Sequence, residues 1–248
     1  MFGGEIVNAS RYFHKELALF LIDLCRLTYV QYKTNGQFQI PKGFQLIKQF
    51  KARSLHSREW FGFILESPDS VLIAFRGTQS DPDWVSDAQV FQRPYPYVPN
   101  SGLVHDGFLS IYDSCRDEIM KAYETIPSYK KLYITGHSLG GALATLHALD
   151  ATVNTEFTQV VMYNYGSPRV GDTSFKRVFR SNVPISIRFV NFYDLVPKLP
   201  TPIIKSFLLK KTIYYNHVPT PMKFAIQNES VRENHSLDTY EEGVRTFP

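Results

Sequence analysis

Gly136-His137-Ser138-Leu139-Gly140 sets a serine between two glycines, with Gly141 directly after. A short apolar run, Leu132 to Thr135, precedes it, and an Ala- and Leu-rich run, Leu139 to Val153, follows. Read as strand, turn and helix, this is the context a nucleophile elbow needs. The serine stands on a strained turn, and the glycines let neighbouring backbones close around it. The helix start behind it offers free N–H groups and partial positive charge to a developing anion. Ser138 is therefore the candidate nucleophile. The plainer reading, a glycine-rich turn whose serine caps a helix, leaves the glycines on both sides unexplained.

A serine hydroxyl needs a general base, and chains with this elbow run Ser, then Asp or Glu, then His. Three histidines follow Ser138: His147, His217 and His235. His147 falls in the helix after the elbow and points away from the sheet edge. His217 falls inside an expected strand, Thr212 to Val218, and reads as a packed or hydrogen-bonded residue. His235 lies in the polar stretch Glu233-Asn234-His235-Ser236 and is preferred, because a loop suits a base that must reach over the elbow. The acid candidate is Asp194, just past the β-rich run Ile185 to Phe192. Asp150 and Asp172 stand at helix ends and read as caps. In this arrangement His235 takes the serine proton and Asp194 fixes the imidazole tautomer.

The tetrahedral intermediate also needs donors. One is the backbone N–H of Leu139, directly after the serine. For the second, Thr78 offers an N–H and a hydroxyl at the end of the run Val71 to Arg76; an ordinary turn threonine is the alternative.

These residues need elements to hold them. Phe13, Leu17, Phe20, Leu24 and Leu27 recur at helical spacing, predicting a helix over Tyr12 to Tyr32. Phe44 to Phe50, Trp60 to Glu66 and Val71 to Arg76 read as strands, the last two joined by a turn at Ser67-Pro68-Asp69-Ser70. A proline-broken region, Gln79 to Gly102, carries Trp84, Phe91, Tyr95 and Tyr97. Beyond it helices and strands alternate: a helix over Phe108 to Ile126, a strand over Val160 to Tyr165, a helix over Thr173 to Arg180. That alternation predicts a mostly parallel central sheet with helices on both faces, with ligands at the carboxyl ends of its strands.

Composition narrows the classes. The 248 residues are 44% hydrophobic and 15% aromatic, which excludes a disordered chain. With 27 basic and 23 acidic residues the net charge is +4, too balanced for a dedicated nucleic-acid binder. Cys25 and Cys115 fall in apolar helical patterns and read as buried free thiols. No apolar run reaches the roughly 18 residues of a membrane span, and Leu17 to Leu27 does not read as a signal peptide. The expected location is cytoplasmic, with secretion the alternative if a leader was removed.

Five motifs in order resemble the class 3 lipase family of α/β-hydrolases. They are Phe75-Arg76-Gly77-Thr78, Val104-His105-Asp106-Gly107-Phe108, Thr135 through Ala142, Tyr165 through Asp172, and Asn191 through Pro197. The resemblance covers roughly Tyr12 to Tyr240 and implies one α/β-hydrolase domain over 1–248. It implies Ser138, Asp194 and His235 as the triad and Thr78 with Leu139 as the oxyanion pair. It implies hydrolysis of carboxylic esters, typically acylglycerols, with no metal or cofactor. It further implies a short lid over about 79–90 with Trp84 and Val85 as its apolar side, covering a site that meets lipid or a hydrophobic ester, and an acyl groove in the same proline-broken region as Phe91, Tyr95 and Tyr97. Alternatives with the same triad are a phospholipase, thioesterase or aryl-esterase; a non-catalytic lipid-binding relative is the rival from another class. His105 is expected to brace the site and His137 to pack against neighbouring strands. The mixed apolar and basic stretch Pro200 to Lys211 reads either as an acyl groove or anionic-lipid contact, or as a core segment with solvated lysines.

Overall fold

The computed structural model describes residues 12–54, 57–78, 91–206, 210–218 and 220–248. The expected lid at 79–90, with Trp84 and Val85, lies outside them. In chain order the elements begin with α1 (Lys15–Lys33), β1 (Gln45–Ser54), β2 (Ser57–Glu66), β3 (Ser70–Phe75), β4 (Gln92–Pro94), β5 (Leu103–His105) and α2 (Asp106–Tyr123). Then come β6 (Lys131–His137), α3 (Leu139–Asn154), β7 (Val160–Tyr165), α4 (Thr173–Asn182) and β8 (Ile185–Asn191). A 3-10 turn, Val196–Lys198, leads to β9 (Ile203–Ser206), β10 (Lys211–Tyr214), β11 (Pro221–Phe224), α5 (Val231–Asn234) and α6 (Leu237–Arg245).

Seven strands form the central sheet in the order β1-β2-β3-β6-β7-β8-β11. From β3 to β11 all neighbours pair parallel; β1 and β2 are antiparallel additions at one edge. The two-residue period of a strand divides the core between the faces. On β3, Val71, Ile73 and Phe75 face a core shared with α2, α3 and α4, through Tyr112, Leu143 and Phe175 among others. Leu72 and Ala74 face the other core, built from α1 and α6 through Leu21, Cys25, Tyr240 and Val244. Helix α3 is buried all round from Leu139 to Ala151, with His147 and Asp150 among its mostly apolar residues. Both cysteines are free and buried, and burial pushes the Cys25 thiol up to about 12. No described helix is long and apolar enough to cross a membrane.

Two expectations need correction. The last sheet strand is β11, not Thr212 to Val218. The β-rich run there ends at Tyr214 and pairs as β10 with β9 in a separate hairpin. Tyr95 does not border a groove. Tyr95 is buried, donates from its hydroxyl to the Leu146 carbonyl at 2.8 Å and packs edge-on to Phe175. Tyr97 packs edge-on to Tyr112 and donates to Asp113 at 2.7 Å.

Candidate active site

Strand β6 ends at His137 and α3 starts at Leu139, so Ser138 alone makes the turn. Its backbone takes φ 60° and ψ −129°, a region that costs a non-glycine residue about 1–3 kcal/mol. The surrounding glycines make this possible. A Cβ on Gly136 would lie 2.1 Å from the Gly140 carbonyl oxygen, and one on Gly140 would lie 2.1 Å from that of Phe75. The elbow is thus wedged against the end of β3. Leu139 opens the helix, so its N–H belongs to the first turn, which has no intrahelical acceptor.

The segment after β3 passes directly over the elbow. A Cβ on Gly77 would come within 3.1 Å of Ser138 Cβ. Arg76, 2% exposed, anchors this segment: it donates to the Trp60 carbonyl and the Glu59 carboxylate at 2.8 Å each and lies over the Tyr32 ring. Thr78, half-buried, follows immediately. The structure therefore brings Thr78 and Leu139 to the elbow from two different strands' ends.

Asp194 lies just past β8 and is fully buried. Its Oδ2 accepts from His235 Nδ1 at 2.6 Å and from the Tyr240 hydroxyl at 2.6 Å; its Oδ1 accepts from the Val196 N–H at 2.9 Å. A carboxylate here demands a donor from the imidazole, so Nδ1 carries the proton and Nε2 keeps its lone pair. Nε2 is buried, and it has no hydrogen-bond partner among the described residues. Asp194 and His235 are thus joined directly, while Ser138 is not hydrogen-bonded to Nε2. Such contacts often tighten only when substrate is bound.

His235 is not in an open loop, as expected, but closes the short helix α5. Asn191 ties that segment to β8 by donating to the Asn234 and Ile226 carbonyls at 3.0 and 2.8 Å. His137 ties it to the elbow. It does not pack only against strands: its Nε2 donates to the His235 carbonyl at 2.8 Å, and its Nδ1 accepts from Tyr29 of α1 at 2.9 Å. The two imidazoles lie 4.5 Å apart, and burial with the neighbouring His235 holds His137 well below the usual histidine range. Tyr240, held protonated by burial and by Asp194, was not singled out from sequence; nor was Tyr29. A tyrosine in the last helix carries no local mark of contact with an acid 46 residues earlier.

The remaining candidates lie elsewhere. His217 is outside any strand and donates from Nε2 to the Pro197 carbonyl at 2.7 Å. His105 caps α2, accepting from the Gly107 and Phe108 N–H groups. Asp172 caps α4. Asp150, expected as a helix cap, is instead fully buried against Arg116, Tyr112 and Asn154. Among the described residues no cluster of three or more His, Cys, Asp or Glu could hold a metal ion.

Residues 72–203, rather more than half the chain, match the family model described as Lipase (class 3). The chain belongs to the class 3 lipase family. This class 3 lipase chain is 39% identical over 144 residues to a lipase of Rhizomucor miehei, covering 54% of the chain and 39% of the relative. It is 30% identical over 249 residues to phospholipase A1-II 3 of Oryza sativa subsp. indica, covering 82% and 59%. It is 36% identical over 135 residues to a secreted mono- and diacylglycerol lipase A of Penicillium cyclopium, covering 53% and 43%. The chain therefore spans about half the length of the curated relatives it matches. Among solved structures, a lipase from Rhizopus microsporus var. chinensis superimposes with TM-score 0.69 and 26% identity over 91% of this chain and 77% of that one. The α/β-hydrolase fold expected from the sequence is the fold observed. One relative is named as secreted, and the cytoplasmic location expected from the sequence gains no support from it.

Proposed function

We propose that this chain is a lipolytic serine hydrolase that cleaves carboxylic esters, acylglycerols foremost, through an acyl-enzyme. The observation that carries the reading is the buried Asp194–His235 pair, whose imidazole keeps Nε2 unpaired and lies 4.5 Å from the ring of His137, the residue before a serine held at φ 60° on a strand-to-helix turn. Ser138 Oγ attacks the ester carbonyl as Nε2 takes its proton. Asp194 stabilises the imidazolium. The Leu139 N–H and Thr78 donate to the oxyanion. His235 then returns the proton to the departing alcohol oxygen as the carbonyl re-forms. In the second half it deprotonates a water, which attacks the acyl-enzyme; the fatty acid leaves as His235 returns that proton to Ser138 Oγ. A lid at 79–90, with Trp84 and Val85 on its apolar side, would cover the site and admit lipid on opening. Trp84→Ala tests that role: a changed acyl-chain preference supports it, an unchanged one removes it.

The rice relative's name favours a second reading on the same chemistry, cleavage of a phospholipid ester. Secretion, recorded in the Penicillium relative's name, is the location we attach to either reading. A panel of nitrophenyl esters from acetate to palmitate, beside triacylglycerol and phosphatidylcholine emulsions, tests the function. We expect turnover by the native chain and none by Ser138→Ala. Equal rates for the two proteins, or no turnover of any ester by the native chain, would overturn it.

A further inference from the structure

Among the described residues ten large apolar side chains are exposed, and five of them lie between residues 192 and 214: Phe192, Tyr193, Leu195, Ile203 and Tyr214. Phe192, Ile203 and Tyr214 are 64%, 57% and 52% exposed. The same span carries exposed Lys198, Lys205, Lys210 and Lys211. Its one acid is Asp194, which is fully buried. None of the four lysines has an ion-pair partner among the described residues; Lys198 lies over the Phe192 ring instead.

The fold puts these side chains on one edge. Phe192 to Leu195 directly follow the carboxyl end of β8. The β9–β10 hairpin sets Ile203 opposite Tyr214 and Lys205 opposite Thr212. The Tyr215 N–H on the Pro202 carbonyl extends the hairpin ladder by one rung, and two contacts bind the hairpin to the same edge. Arg169, just past β7, donates to the Lys198 and Pro200 carbonyls, and Asn216 bridges to Gly171. This is the edge that carries Ser138 and Asp194.

We propose that the β9–β10 hairpin and the Phe192–Leu195 turn form a docking face for an anionic phospholipid surface. The surface partner follows from the chemistry of the face: apolar side chains enter the headgroup layer while unpaired ammonium groups meet lipid phosphates. An acidic protein would satisfy the lysines but leave no reason for isolated aromatic and aliphatic side chains to stand out on the rim. Docked this way, the bilayer would lie against the sheet edge that holds the proposed triad, so the meaning of the face for catalysis rests on that reading.

The test uses the full chain carrying Ser138→Ala, so that vesicles are not consumed, in co-sedimentation at low salt. The vesicles are phosphatidylcholine alone, or phosphatidylcholine with one-third phosphatidylglycerol. Binding should be at least about tenfold tighter to the anionic vesicles and should fall as salt is raised. Lys205→Gln with Lys211→Gln should remove roughly tenfold or more of the affinity for anionic vesicles. Ile203→Ser with Tyr214→Ser should weaken binding to both compositions. Tyr129→Ser with Val153→Ser, exposed at the opposite edge, should change neither. Equal binding to both compositions, no binding, or hairpin variants that bind like the parent would overturn the proposal. Hydrolysis of a dissolved butyrate ester, measured without Ser138→Ala, separates the two readings. Hairpin variants should keep that rate; its absence in the native chain would sink the catalytic reading and leave the vesicle result to stand alone.

Discussion

In the carboxyl half of α3, His147 has both ring nitrogens engaged, Nδ1 with the Tyr112 hydroxyl at 3.0 Å and Nε2 with that of Tyr123 at 2.8 Å. Asp150 beside it is paired with Arg116 through two hydrogen bonds, at 2.6 and 3.0 Å. At the amino end of α3, His235 meets Asp194 and Tyr240, the same three kinds of side chain at similar burial. There the carboxylate has no arginine or lysine partner among the described residues, and one imidazole nitrogen is left unpaired among them. A closed network of this kind holds two helices together. An open one keeps a lone pair for a proton that arrives with substrate. Burial and residue type do not tell the two apart; hydrogen-bond accounting does.

The largest expected effect breaks the open end. Ser138→Ala should cost about 10^4- to 10^6-fold in kcat on any cleaved ester, with an unchanged denaturation midpoint, because the hydroxyl supports little of the core. Asp194→Asn should cost about 10^4-fold by reversing the imidazole tautomer. Breaking the closed end should do the opposite. Asp150→Ala strands Arg116 and Tyr112, and should lower stability by about 3–5 kcal/mol in urea titration, with kcat preserved at temperatures where the variant is folded. Thr78→Val, which keeps the backbone N–H and removes the hydroxyl, should lower kcat about a hundredfold if the hydroxyl serves the oxyanion; an unchanged rate would assign that role to the N–H alone.

The remaining effect is in pH and bears on stability alone. Burial holds His147 and His105 down at about 4, below the ordinary 6.5. The unfolded chain therefore binds protons that the folded rings refuse. Stability is complete above about pH 6.5 and falls as pH drops towards 4, by about 3 kcal/mol for each ring. Urea midpoints at pH 7.5 and 4.5 measure this, and His147→Gln should flatten the dependence.

Much of this comparison was legible in the chain. The elbow needs only local spacing, and β7 runs over Val160–Tyr165 as its apolar run predicts. Asp194 follows from its place after a β-rich run. What escaped was either short or long-range. Strand β11 is four residues that start with proline and include a lysine, a pattern an edge strand tolerates but that does not announce a strand. Thr212 to Val218 has the stronger β composition, yet it is split between a hairpin and a coil, because its partner is β9 rather than the sheet. The Tyr29–His137–His235 chain joins three segments through side chains that look like ordinary core residues in sequence. Tyr95 and Tyr97 sit among prolines that suggest a surface region, but their hydroxyls find partners inside, so the rings can be buried.

The most direct test of the difference between the two ends of α3 is labelling of the folded chain with a fluorophosphonate, followed by mapping of the modified peptide. The proposed chemistry predicts a single adduct on Ser138, lost in Asp194→Asn at matched times and retained in a folded Asp150→Asn variant. An unlabelled chain, or an adduct on another residue, would contradict it.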